Sequence, residues 1–187
     1  NDPDYARKLY LIENCIYGVD IQPIATQISK LRFFISLVVE QTPTSIAKDN
    51  FGIRPLPNLE SKFVSANTLI PMDRTQNLFS SSDEIRNYQD QLQEMNHRYF
   101  RTKKNSEKKE LQGLMTSTRM NMAEAMRNLG FIGSNGYEQL QWDIFDQNDS
   151  ANFFDTEWMF GIEDGFDIVI GNPPYVDYRK IDNITKN

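Results

Sequence analysis

Phe166-Asp167-Ile168-Val169-Ile170-Gly171-Asn172-Pro173-Pro174-Tyr175 decides how the rest of the chain is read. Its apolar run predicts a buried strand that stops at Gly-Asn-Pro-Pro. The turn is stiff, because each proline fixes φ and supplies no N–H to a ladder. The backbone carbonyls there are aimed outward instead of being spent in a sheet. Asn172 offers a carbonyl acceptor and an NH₂ donor, and Tyr175 offers a flat face. Placed at the carboxyl end of a strand, where open α/β sheets bind ligands, these groups suit a planar group carrying an exocyclic amine.

Working outward, a second α/β signal lies far upstream. Cys15 to Val19 read as a short buried strand with Asp20 at its carboxyl end. Pro23 opens a helix whose expected buried stripe is Ile24, Ile28, Leu31, Ile35 and Val38, widened by Phe33 and Phe34. This strand–acid–helix unit is half of a mononucleotide-binding repeat. Before it, Asp2 and Pro3 start a helix along which Tyr5, Leu9 and Ile12 keep helical spacing, and Asn14 ends it. Residues 42–60, with Pro43, Gly52, Pro55 and Pro57, exclude a long regular element. Residues 62–66 form a second expected strand, with Asn67 and Thr68 at its carboxyl end.

About 100 residues then separate that strand from 166–170, far more than a direct crossover needs. Something is inserted. Ile85, Tyr88, Leu92, Met95 and Tyr99 mark one amphipathic helix, with Ser82 as its cap. Leu111, Leu114, Met115, Met122, Met126 and Leu129 mark a second, ended by Gly130. Two long antiparallel helices are expected. The turn between them, 98–109, carries six Lys or Arg against one Glu, net +5, and suits a solvated turn better than a phosphate site. Residues 133–165 look irregular, but Trp142, Phe145, Phe153, Phe154, Trp158 and Phe160 predict a packed connection. Residues 176–187 are polar, with Tyr178 and Arg179 close behind the turn as candidates for nucleic-acid contact.

Bulk properties narrow the classes. A chain of 187 residues with 39% apolar, 25% charged and 12% aromatic residues suits one domain, or one with an insertion. No apolar run approaches the roughly 20 residues of a membrane span, and no signal-like segment opens the chain, so a cytoplasmic location is expected. One His and one Cys leave no zinc site. Cys15 is expected to be a small buried hydrophobe, and His97 has no neighbours that suggest catalysis. The net charge of −6 is unfavourable for gripping DNA with this chain alone.

Asn172-Pro173-Pro174-Tyr175 resembles the catalytic motif of S-adenosylmethionine-dependent amino-methyltransferases, above all DNA adenine-N6 methyltransferases. FDIVIGNPPYV, with IYGVDIQPIATQISKLRFFISL at 16–37, resembles the methylase part of Eco57I-type (type IIG) restriction-modification enzymes. The resemblance implies an α/β, Rossmann-like methyltransferase core, strands 2–4 of its parallel sheet, formed by residues 1–70 and 160–187. The helical hairpin and aromatic-rich connection at 71–159 would be the insertion.

It also implies roles. Asn172 and the Pro173 carbonyl would hold the N6 hydrogens of a flipped adenine, Pro174 would stiffen the turn, and Tyr175 would stack on the base. Asp20 would bind the ribose hydroxyls of S-adenosyl-L-methionine, and Ile21 would pack on its adenine. Asn67 stands where many relatives carry an acid for the cofactor's adenine amine, with Thr68 beside it; Asn172 also borders that pocket. A helix N-cap is the alternative role for Asp20. The family's glycine-rich cofactor loop has no counterpart before Ile16, and no recognition or nuclease motif is present. The chain is therefore expected to be part of a longer protein, inactive alone, with double-stranded DNA held mainly by the rest. Two alternatives stay open: an RNA or protein-glutamine amino-methyltransferase, and a helical interaction module on a non-catalytic methylase scaffold.

Overall fold

The computed structural model describes residues 3–74, 82–162 and 164–172. The expected cap Asp2, and Pro173, Pro174, Tyr175, Tyr178 and Arg179, lie outside the described residues.

Helix α1 spans Pro3–Asn14 and buries Tyr5 and Ile12. Strand β1 is Gly18–Asp20, helix α2 is Pro23–Val38, and strand β2 is Phe63–Ser65. The strands pair in parallel, with Gly18 opposite Phe63, Val19 opposite Val64 and Asp20 opposite Ser65. Residues 39–62 stay irregular apart from a 3₁₀ turn at Ala47–Gly52, as their prolines and glycine predict.

Alternation along β2 organises the core. Phe63 faces a cluster with Tyr5, Ile12, Leu37, Leu59 and Phe100. Val64 points the other way, into the larger cluster with Ile85, Leu92, Tyr99, Leu111 and Met115. A strand sends successive side chains to opposite faces, so this short parallel sheet is covered on both sides, as parallel sheets require.

Helices α3 (Asp83–Arg101) and α4 (Asn105–Asn128) form the expected hairpin across a turn at 102–104. Ser82 caps α3 by accepting a hydrogen bond from the Ile85 N–H at 3.2 Å. Gly130, at φ 75°, closes α4: its N–H reaches Arg127 O at 3.0 Å while Phe131 N–H reaches Met126 O at 2.8 Å. Those two bonds are a Schellman motif, and the positive φ explains the glycine. Asn58 donates to the Tyr99 and Thr102 carbonyls at 2.7 and 2.8 Å, tying the loop before β2 to the end of α3.

The connection at 133–165 is packed, as its aromatics predict. It contains short helices α5 (Ser134–Gln139) and α6 (Thr156–Phe160), and Phe153, Trp158 and Phe160 are buried. Single bridges lay Ala151 beside Ala66 and Phe154 beside Pro71, so this segment runs along the chain leaving β2. Arg74 fixes the join, donating to Asp155 at 2.8 Å and Glu157 at 2.7 Å.

Three expectations fail. Helix α2 turns Thr26, Lys30 and Leu37 inward, with Phe33 and Phe34 partly packed, while Ile24, Ile28, Leu31, Ile35 and Val38 are exposed. Helical periodicity identifies an apolar face but not which face the sheet receives. Residues 166–170 form no strand among the described residues, and Ile168, Val169 and Ile170 are 79%, 79% and 93% exposed. No described strand lies alongside to take their ladder, so among the described residues the sheet has two strands where three were expected. Cys15 is exposed in the link between α1 and β1, because the strand begins only at Gly18.

Candidate functional site

The parallel register brings the carboxyl ends of β1 and β2 to one edge. Asp20 lies opposite Ser65, and its carbonyl accepts from Ala66 N–H at 3.0 Å, one residue before Asn67. Asp20 and Asn67, 47 positions apart, thus leave the sheet side by side.

Each is held by its own turn. Asp20 Oδ1 accepts from the Gln22 N–H at 2.8 Å, an Asx turn that leads into α2. It is therefore not the N-cap: that position is Gln22, which makes no side-chain cap bond. Asp20 Oδ2 has no hydrogen-bond partner among the described residues and the side chain is exposed. Ile21, next in line, is 59% exposed. Asn67 Oδ1 accepts from Leu69 N–H at 3.1 Å, and its backbone N–H donates to Ala151 O at 2.9 Å. Its Nδ2 has no partner among the described residues. Thr68 is exposed beside it.

Behind this edge is a buried hydroxyl pair that the sequence did not single out. Thr26 Oγ1 donates to Pro23 O at 2.8 Å, which leaves Ser65 Oγ as the donor in the 3.2 Å contact between the hydroxyls. The pair bolts the first turns of α2 to β2 directly behind Asp20. A Thr three residues after a helix-opening Pro was the available signal. Nearby, Lys30 Nζ bonds Gln147 Oε1, and Gln27 Nε2 donates to Gln147 O at 3.2 Å. Burial pushes the Lys30 amine below its ordinary range, with Glu60 opposing.

Asn172 is exposed, and its side chain bonds neither Asp20 nor Asn67. The segment leading to it is anchored at Phe166, whose ring lies 5.7 Å from Tyr17 and 6.1 Å from Phe160. The described residues hold no cluster of His, Cys, Asp and Glu fit for a metal, and none of their helices is long and apolar enough to cross a membrane.

No curated protein and no solved structure matches the chain. A family model does: that of the Eco57I restriction-modification methylase matches residues 14–187, a span holding β1, β2, the helical hairpin and the Asn-Pro-Pro-Tyr sequence. This chain belongs to the Eco57I restriction-modification methylase family.

Proposed function

We propose that the chain carries part of the active site of a DNA adenine-N6 methyltransferase that uses S-adenosyl-L-methionine, within a restriction-modification or phage-defence system. The observation that carries the reading is the shared edge of β1 and β2, where Asp20, Ile21 and Asn67 emerge together inside the family-matched span.

The groups at that edge fit the cofactor. Asp20 Oδ2 is an unspent anionic acceptor, the type of group that takes hydrogen bonds from a ribose diol. Ile21 gives an apolar surface beside it for a purine ring. Asn67 has its amide N–H₂ free and its oxygen engaged, so it suits a purine ring nitrogen better than an exocyclic amine. The cofactor's sulfonium supplies an electrophilic methyl group.

What Asn172 and Pro173 contribute is positioning. The N6 lone pair of adenine is delocalised into the ring and is poorly nucleophilic. Two acceptors, Asn172 Oδ1 and the Pro173 carbonyl, hold both N6 hydrogens and favour a pyramidal nitrogen aimed at the methyl. Alignment and electrostatics suffice, with no covalent intermediate on the protein. The base must leave the duplex first, and Tyr175 offers a stacking face that returns roughly 1–3 kcal/mol. Double-stranded DNA is the proposed partner, although the net charge of −6 does not favour it.

The test is transfer of labelled methyl to duplex DNA by the protein with its natural flanking sequence, the product identified by mass spectrometry. Loss of N6-methyladenine with Asn172→Ala, at a cofactor concentration that saturates the variant, is the expected result. Asp20→Ala should instead weaken S-adenosylhomocysteine binding by about tenfold or more, the worth of a charge-assisted hydrogen bond. Label found only in RNA or in protein glutamine would overturn the reading.

A further inference from the structure

We infer that the turn between α3 and α4 is a phosphate-binding surface that holds duplex DNA by its backbone, away from the base that is methylated. The inference rests on the reading above that the substrate is duplex DNA. It supplies locally what the overall charge withholds. Residues 98–109 carry net +5 in a chain of net −6, so the remaining residues carry −11, which is −6 less +5. Positive charge is concentrated at this one turn.

The structure shows more there than a solvated turn. Arg98 and Arg101, in the last turn of α3, and Lys103 and Lys104, in the link to α4, border a recess of about 700 Å³. Two carboxylates also border it, those of Glu13 and Glu107. Glu13 is taken up by Arg101, which meets both of its oxygens at 2.8 Å. That leaves Arg98, Lys103 and Lys104 against Glu107 alone. All three cations are exposed, and none has an ion pair or a side-chain hydrogen bond among the described residues. Lys108, by contrast, is committed to Glu60 at 2.7 Å.

The backbone beneath these cations is fixed. Asn58 holds the Tyr99 and Thr102 carbonyls, and Thr102 Oγ1 donates to Arg98 O at 2.8 Å. Tyr99 and Phe100, between the two arginines, are buried. An anchored turn loses less freedom when its side chains meet an anion. Several adjacent cations without acids of their own suit a partner with closely repeated charges. A duplex backbone is such a partner, and its bound counterions are released when Lys and Arg replace them.

Position decides what the contact reads. Glu13 lies shortly before β1 and Asn58 shortly before β2, so the recess is at the amino ends of the strands. Asp20 and Asn67 leave the opposite edge. The turn therefore grips the phosphates of flanking duplex, contacts that position a protein without reading sequence.

The experiment measures binding of the protein, with its natural flanking sequence, to a fluorescent duplex of mixed sequence across a range of salt concentrations. Each phosphate contact contributes about 0.9 to the slope of log K against log salt. Arg98→Gln/Lys103→Gln/Lys104→Gln should lower that slope by about 2–3. Arg7→Gln/Arg32→Gln/Lys48→Gln makes the same change in net charge at exposed positions elsewhere, and should leave the slope at the parent's value. Both variants should keep the circular dichroism of the parent. At saturating duplex and low salt the turn variant should transfer methyl groups at the parent's rate. An unchanged slope in the turn variant, an equal fall in the control, or a parent that does not bind duplex overturns the inference. N6-methyladenine formed with an unchanged slope sinks this surface alone. The expected fall in slope without methyl transfer to DNA sinks the active-site reading alone.

Discussion

Arg101 donates Nε–H to Glu13 Oε1 and Nη2–H to Glu13 Oε2, each at 2.8 Å, and so ties the last turn of α3 to the end of α1. The pair is lopsided: the Glu13 side chain is 4% exposed and that of Arg101 73%. Glu13 otherwise has His97 Nδ1 at 3.6 Å, a contact that is ionic only when the histidine is protonated. Arg101→Ala would strand a buried carboxylate. The expected loss is roughly 2–3 kcal/mol, below that for a wholly buried pair because solvent reaches the arginine. In Glu13→Met/Arg101→Ala the charge is gone, and most of that loss should return. Urea unfolding of both variants checks this; an equal loss in the double variant would show that the charge is not the cause.

The second prediction concerns the two faces of α2. Leu37 is fully buried against Tyr5, Leu59 and Phe63, whereas Leu31, six residues earlier, is 56% exposed. Leu37→Ala should cost about 2–4 kcal/mol through lost burial and a cavity. Leu31→Ala should change stability by only about 0.5 kcal/mol. Thermal unfolding of both measures the difference. Comparable losses would mean that the Ile24–Val38 stripe is covered in solution.

That contrast shows what the sequence does and does not carry. The hairpin was legible because its stripes face each other: Leu92 and Tyr99 of α3 have Leu111, Met115 and Met122 of α4 as near neighbours in sequence. A local pattern then names its own partner. The caps Ser82 and Gly130 were legible for the same reason, since each serves a helix end a few residues away. Helix α2 carries apolar residues on two faces, and the sheet takes the one containing Thr26 and Lys30. That choice depends on Ser65 and Gln147, distant partners that periodicity does not encode. The run Ile168–Ile170 has strand composition, yet pairing needs a neighbour and no described strand supplies one. Asp20 and Asn67 were identified by their places after strands, and the register then set them side by side.

Gly18 is the third test, because it sets how closely the two strands approach. A Cβ built there would lie 2.4 Å from Phe63 Cδ1 and 2.7 Å from Cε1. The Phe63 ring has little room to yield: it is 4% exposed and packs 4.9 Å from Phe33. Gly18→Ala should therefore cost about 1–3 kcal/mol from overpacking. Adding Phe63→Leu, which makes room for the methyl, should give a double variant more stable than the two single losses predict. Strict additivity would show that the clash is relieved some other way.

Lys62 gives the last prediction its pH dependence. Burial is the main cause that holds its folded pKa at about 8, below the ordinary lysine value of 10.5. A depressed amine pKa means that the folded state resists the charged form. Below pH 8 the ammonium is protonated in both states, and the folded protein carries the full penalty. Between about 8 and 10.5 the unfolded chain binds more protons than the folded one, so stability rises with pH across that window. Above it the amine is neutral in both states and the penalty is gone. Lys62→Met never carries it. The variant should therefore exceed the parent in stability at pH 7 by about 1.4 kcal/mol per unit of depression, less what the lost contact with Tyr17 contributes. The gap should shrink steadily from pH 8 to 10.5. Urea unfolding at half-unit steps of pH, without added ligand, measures it; a gap that stays flat across the window would rule out burial of this ammonium as its source.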